Sequence, residues 1–566
     1  MKMKIISFLI VFGITVICYA QQNKEATNLK LVPKSMAEKA IVDNYNESVL
    51  PINFTFNKEL AAVPFSSSGN AYTLLSGKKM TMDAVNKTVL YTHRAGGPFG
   101  NTSHNIKLSM SANYGNTWDS TLIVAPNSAH LLRYPGGTFF RPDGGSDLYL
   151  VSSGPITNGT NWIANYFASC KTDGTDFHFQ HVDVPSGTGI FHVNTGLSVL
   201  PNGSFLVVGE KNGLPPDYPH IDYSIFKFNW NSTAKNFDID NIIELTPTFV
   251  DGMPPVQPFG MAFSDDGSVG YFWSNGQISP NSPNLSTQPL VWKTIDAGEN
   301  WEMMPVFDFS TIQELKDYVW AIMSNQSRIR PLFFYGYTTS EKDIPGIVDK
   351  NGNLNLLVTM IGGYSEHPDS LGYTYLHEPT KIFNIFTTPT GWDAKYIDTL
   401  QTNVQYVSAG GSGQFGDFSL DHRLHIGKSN DGNKIFAMWT DTDPLDGQIT
   451  ENIIPDLKAW GRDITTGLVT TTKNFTQGTL LDGAVLYMNA SEIVMFNNDK
   501  YNIPVVYVQP TSTGDPVGSA IIHYYVKDIY FVESDFVTNP YINKIVNPVS
   551  FVSQNYPNPF TEKTTI

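Results

Sequence analysis

Two eight-residue stretches far apart in the chain follow one template, Ser/Thr-x-Asp/Asn-x-Gly-x-x-Trp. They are Ser111-Ala112-Asn113-Tyr114-Gly115-Asn116-Thr117-Trp118 and Thr294-Ile295-Asp296-Ala297-Gly298-Glu299-Asn300-Trp301. A reduced copy is Thr172-Asp173-Gly174-Thr175-Asp176-Phe177. The template describes a hairpin turn that satisfies itself. The Asp or Asn side chain accepts hydrogen bonds from the turn backbone. The Gly takes a backbone conformation that other residues avoid. The Trp folds back over the turn from the next strand. One hairpin recurring along a chain marks a small repeated β-unit, and such units close their cores by stacking on one another.

The spacing sets the size of the unit. Asn113 and Asp173 lie about 60 residues apart, and Asp173 and Asp296 about twice that. A copy without the template is therefore expected at Asn231–Asn236, and reduced turns at Thr387–Trp392 and Asp463–Gly467. Short runs rich in β-branched and aromatic residues fill the intervals, such as 147–151, 204–208, 354–359, 434–439 and 503–508. Asn202-Gly203, Asp266-Gly267, Asn351-Gly352 and Asp431-Gly432 supply tight hairpin turns. The 46 Gly, 35 Pro and 13% aromatic residues agree with many short strands. One helix is expected over 310–323. The fold class is all-β: a ring of about seven four-stranded sheets between residues 70 and 535, with six or eight as alternatives. Residues 50–65, in the N-terminal segment 21–69, are expected to supply the ring-closing strand.

These residues resemble the Asp-box (BNR) repeat of sialidase-like β-propellers, with Asn113 departing from the family's Asp. The resemblance implies a propeller whose boxes join the third and fourth strands of each blade, on the rim away from the active-site face. Sialidase chemistry in that family implies three arginines, a Tyr–Glu nucleophile pair and an acid/base Asp. The arginines here that could approach one face are Arg94, Arg133, Arg141, Arg328, Arg330 and Arg423. The family's early Arg-Ile-Pro string is missing from Tyr91–Gly97, and Arg328-Ile329-Arg330-Pro331 stands at the wrong place in the repeat. The expectation is therefore a non-catalytic module that binds a glycan or a surface protein. The alternative is a sialidase-like exo-glycoside hydrolase.

Three Gly-rich stretches offer polar groups for such a ligand: His93–Gly100, Arg133–Gly137 and Arg141–Gly145. The candidate binding residues are His93, Arg94, Arg133, Arg141 and Asp143. Asp441, Asp443 and Asp446 crowd three carboxylates into six residues, which suits Ca²⁺ as an optional ion. The Asp349–Asn353 stretch reads better as a plain hairpin. No other cofactor is expected, because zinc spacings, phosphate loops and dinucleotide fingerprints are lacking.

The two ends carry addresses. Met1-Lys2-Met3-Lys4 precedes an apolar run to Ile17, and Cys18-Tyr19-Ala20 ends in a small residue. This reads as a signal peptide over 1–20, cut between Ala20 and Gln21. Of the two cysteines only Cys170 lies beyond it, so no intrachain disulfide is expected. Residues 536–553 read as a linker. Gln554-Asn555-Tyr556-Pro557-Asn558-Pro559-Phe560 and the following Thr561–Ile566 resemble the first strand and turn of a type A C-terminal sorting domain, truncated here at 554–566. That resemblance implies the type IX secretion machinery as a partner, export through the periplasm, and a secreted or outer-membrane-surface protein of a Gram-negative bacterium. The terminal string is expected to be loosely held. A formal charge of −16 disfavours nucleic acid, and no later stretch is long enough to span a membrane.

Overall fold

The computed structural model describes residues 60–70, 80–98, 104–118, 120–124, 130–159, 162–183, 189–191, 197–212, 221–245, 256–276, 288–319, 332–335, 344–364, 374–375, 380–402, 422–443, 452, 454–512 and 519–537. The signal and sorting segments lie outside them. The described residues form seven antiparallel sheets in chain order, with one parallel contact. We number them I to VII.

Their innermost strands are Met80–Asp83, Gly136–Phe140, Leu197–Val199, Val256–Phe263, Gly346–Val348, His425–Ser429 and Leu486–Ala490. Each touches the next, and the last touches the first, so the inner strands form a closed ring. This is the arrangement of a β-propeller. In sheet VII the outermost strand is Ala62–Ser68, paired antiparallel with Ile521–Val526. The closing strand thus comes from the chain's N-terminal side, overlapping the expected 50–65 at its last four residues and running on to Ser68.

The core is divided in the same way. Each pair of neighbouring sheets encloses its own apolar cluster, and seven clusters fill seven seams. Inner and second strands are covered on both faces, so Thr88–Arg94 and Lys434–Thr442 are buried along their whole length. Each large apolar side chain in a seam, such as Trp460 or Phe228, contributes roughly 1.5–3 kcal/mol of burial.

Several elements differ from the sequence expectation. Sheet VI has seven strands, because Ile493–Asn497 pairs parallel with its inner strand and carries Lys500–Asn502 and Tyr530–Val532 with it. The expected helix is shorter, a 3-10 turn at Phe309–Thr311 followed by an α-helix at Gln313–Tyr318. Phe536 is buried in the sheet VI/VII cluster, and the Val537 N–H donates to Val469 O at 3.0 Å, so the body runs into the stretch read as linker.

The turns fall where the spacing puts them. Ser111–Trp118, Thr172–Phe177, Asn231–Asn236, Thr294–Trp301, Thr387–Trp392 and Asp463–Gly467 lie between the third and fourth strands of sheets I to VI.

Candidate functional site

An antiparallel meander alternates its connections between two ends. Connections between first and second strands, and between third and fourth, share one end of the ring, here called the turn face. The others form the loop face.

Short side chains hold the turn face together. Asp266 Oδ1 accepts from the Ser264 and Ser268 hydroxyls and the Ser268 N–H. Asp431 repeats this with Ser429 and Asn433. Asp349 Oδ1 accepts from the N–H groups of Asn351 and Asn353, so the Asp349–Asn353 stretch is a hairpin turn. Hydrogen bonds hold Asp266 and Asp431 below the usual carboxylate range, against the opposing effect of burial that is largest at Asp431.

This alternation splits the candidate residues. His93 and Arg94 end the second strand of sheet I, and Arg133 precedes the inner strand of sheet II, so all three lie towards the loop face. Arg141 and Asp143 lie between the first and second strands of sheet II, on the turn face. The five residues therefore do not form one site.

His93 is a fully buried strand residue and not a loop ligand. Its Nδ1 lies 2.7 Å from Arg94 O and its Nε2 3.1 Å from Ser109 Oγ. Ser68, at the end of the closing strand, bridges 3.1 Å to His93 and 2.8 Å to His523. These groups tie the ring shut.

Arg94 and Arg133 come together with His104. Arg133 Nη1 donates to Leu132 O at 2.9 Å and lies 3.4 Å from His104 Nδ1. Arg94 is buried. Burial and the nearby Arg133 charge pull it down to about 10, with Tyr134 acting the other way. Burial and the two arginines also lower His104, which keeps its imidazole neutral and able to accept from Arg133. Tyr134, next in the chain to Arg133, has φ of +39°, an uncommon conformation for a non-glycine residue. Three nitrogen-rich groups pressed together favour an anion, and two guanidinium forks suit a carboxylate. Sequence reading picked out the two arginines but missed His104 and Tyr134, because the fold alone brings residue 104 beside residue 133.

Arg423 stands before the inner strand of sheet VI. Its Nε donates to Met488 O at 3.0 Å and its Nη2 to Asn489 Oδ1 at 3.1 Å, which joins sheets VI and VII. His425 follows. Burial and the Arg423 charge hold it down to about 3, against a hydrogen bond to Met488 O.

A cavity of about 520 Å³ runs along the ring axis, lined by all seven inner strands. Its turn-face rim holds Arg141, Asp265, Lys428 and Glu492. Arg141 is the single arginine in the lining among the described residues, and its Nη2 pairs with Asp83 Oδ2 at 2.8 Å.

The expected calcium ligands are already engaged. Asp441 is fully buried and accepts from the N–H groups of Gln401 and Thr402 and from the Thr402 hydroxyl. Lys458 Nζ lies 3.6 Å from it. Asp443 accepts from Gln477 Nε2 at 2.6 Å, and Asp446 is outside the described residues. Among the described residues no group of three or more metal-ligating side chains comes together.

No family model matches the sequence, and no curated protein does either. Solved structures similar in shape include the phage phi92 endosialidase, at 11% identity and a TM-score of 0.36, covering 85% of this chain and 70% of that one. Another is the Trypanosoma rangeli sialidase in complex with the inhibitor DANA, at 9% identity and 0.36, covering 70% of this chain and 55% of the sialidase. A third is the Penicillium chrysogenum α-L-arabinanase with arabinobiose, at 12% identity and 0.35, covering 73% and 100%. None reaches an identity or score at which a residue can be carried across.

Proposed function

We propose that this chain is a seven-bladed, Asp-box β-propeller that works outside the cell as a non-catalytic binding module for an acidic ligand such as a uronate- or sialate-bearing glycan. The observation that carries this reading is the Arg94–Arg133–His104 cluster, where burial presses on both arginines and the Arg133 charge presses on Arg94 and His104 as well. A bound carboxylate would relieve that pressure through charge-assisted hydrogen bonds. The seven sheets and the closed inner ring support the blade count.

The signal-like N-terminus and the Gln554–Ile566 string support export by the type IX route. N-terminal sequencing of the secreted form should begin at Gln21.

Glycan-array binding of the purified protein tests the ligand class. Arg94→Ala and Arg133→Ala should each weaken capture of acidic glycans at least about tenfold, the scale of one charged hydrogen bond at about 1.5–3 kcal/mol. A fluorogenic glycoside panel run beside it should stay flat. Hydrolysis of a sialoside that disappears in Arg94→Ala would replace the binding module with a sialidase-like hydrolase.

A further inference from the structure

We propose that the axial cavity is a second ligand site, entered from the turn face, and that it takes a neutral polyhydroxylated ligand of mono- or disaccharide size. Neither the arginine cluster nor any expected metal site includes it.

The size is right for a small ligand. About 520 Å³ falls within the roughly 300–1,000 Å³ of pockets that enclose small molecules. The opening is set by the turn-face residues Gly144, Pro201 and Asp265, which belong to the lining. Asp265 itself is 59% exposed, so the rim meets solvent.

The rim chemistry selects the ligand class. Lys428 is buried, and its Nζ donates to Asp265 Oδ1 at 2.5 Å and to Val348 O at 2.8 Å. Arg141 Nη2 donates to Asp83, and its Nη1 donates to Gly145 O and Ser146 O at 3.2 Å each. Glu492 accepts from Thr81 Oγ1 at 3.5 Å. Each cation is thus neutralised from within the protein. A ligand carboxylate would have to displace Asp83 or Asp265, leaving a half-buried carboxylate without its partner. A ligand ammonium would have to compete with Lys428 for Asp265 and with the Thr81 hydroxyl for Glu492. A hydroxyl disturbs neither pair, because it donates to a spare carboxylate oxygen and accepts from a spare N–H.

Deeper in, the lining mixes Met80, Leu197 and Met261 with Thr138, Ser198 and His425. Apolar patches beside hydrogen-bonding groups match the C–H and O–H faces of a sugar ring. His425 Nε2–H donates to Met488 O at 3.2 Å, which leaves Nδ1 as an acceptor. Its depressed pKa keeps this imidazole uncharged above about pH 4.

Saturation-transfer NMR and calorimetry with cellobiose, glucuronate and glucosamine test the site on the whole protein. Cellobiose should bind and the two charged sugars should bind at least tenfold more weakly. Ser198→Trp, which fills the cavity, and Asp265→Ala, which opens the rim pair from the solvent side, should each weaken cellobiose at least tenfold. Leu480→Ser, at a side chain 85% exposed, should leave it unchanged. Unaltered melting temperatures would separate lost binding from lost folding, and if Ser198→Trp unfolds the protein, Asp265→Ala carries the test. Glucuronate or glucosamine binding as tightly as cellobiose would overturn the neutral class. No cellobiose binding, or binding indifferent to the folded variants, would overturn the site.

Discussion

The Trp118 and Trp301 turns share their polar chemistry and differ in what their tryptophans cover. In the first, Asn113 Oδ1 accepts from Ser111 Oγ and Thr117 N–H, at 3.0 and 2.9 Å, while Ser111 Oγ accepts from Gly115 N–H. In the second, Asp296 Oδ1 accepts from Thr294 Oγ1 and Asn300 N–H, at 2.7 and 3.0 Å, while Thr294 Oγ1 accepts from Gly298 N–H. Trp118 stacks on Phe65 of the closing strand at 4.0 Å and lies 5.6 Å from Tyr525, across the seam where the chain's two ends meet. Trp301 packs on Phe263, and its Nε1–H donates back to Gly298 O. One turn fastens the ring, and the other strengthens a seam that the chain already connects. The same hydrogen-bond pattern therefore carries unequal weight.

The largest expected effect is on the tryptophans. Trp118→Ala should cost about 3 kcal/mol and speed amide exchange across Ala62–Ser68. Trp301→Ala should cost about 2 kcal/mol and leave that strand protected. Denaturant unfolding with hydrogen exchange reads both, and equal costs with an undisturbed closing strand would erase the contrast.

The glycines come next. Both have positive φ, +76° at Gly115 and +84° at Gly298. A Cβ at Gly115 would stand 2.2 Å from the Tyr525 ring, whereas one at Gly298 would stand 2.7 Å from Leu206 Cδ2, the end of a side chain that can yield. Gly115→Ala should lose about 2–3 kcal/mol and Gly298→Ala about 1–2 kcal/mol.

The smallest difference is in acid. Hydrogen bonds from the Asn300 side chain and backbone hold Asp296 down to about 2. Its contribution is present above the unfolded carboxylate range and disappears as pH falls towards 2. Asp296 is largely solvent-exposed, so the effect stays below about 1 kcal/mol. Asn113 has no such dependence. Asp296→Asn should flatten the melting temperature between pH 4 and pH 2, and Asn113→Asp should add a slope there. His425 acts earlier. Its depressed pKa means that stability is lost as pH falls from the unfolded value near 6.5 towards 3. A His425→Gln background should remove that upper loss and isolate the carboxylate.

The turns were legible because their chemistry is local, with acceptor, glycine and tryptophan within eight residues. The closing strand was less so. Ala62-Val63-Pro64-Phe65-Ser66-Ser67-Ser68 has a proline and three serines, weak strand formers, and its partner lies more than 450 residues away. The serines are buried because they bond across the seam, Ser67 to Gly96 O and Ser68 to Arg94 O. Glycine-rich composition grouped Arg141 with Arg133, although one strand between them carries the chain to the opposite end of the ring. Lys428 and Asp265 belong to different sheets, and only closure of the inner strands around one axis makes them neighbours.

That closure also governs when the protein can become whole. Sheets I to V and the first four strands of sheet VI can form in turn as the chain is made, but Ala62–Ser68 must wait, unpaired, until Ile521–Val526 exists. For most of synthesis the nascent protein is an open arc with two raw edges, one at each end. Its last step joins residues from opposite ends of the chain, a slow search for a distant partner. Any factor that holds the early edge apart would keep the chain unfinished, and release of that edge would complete the ring.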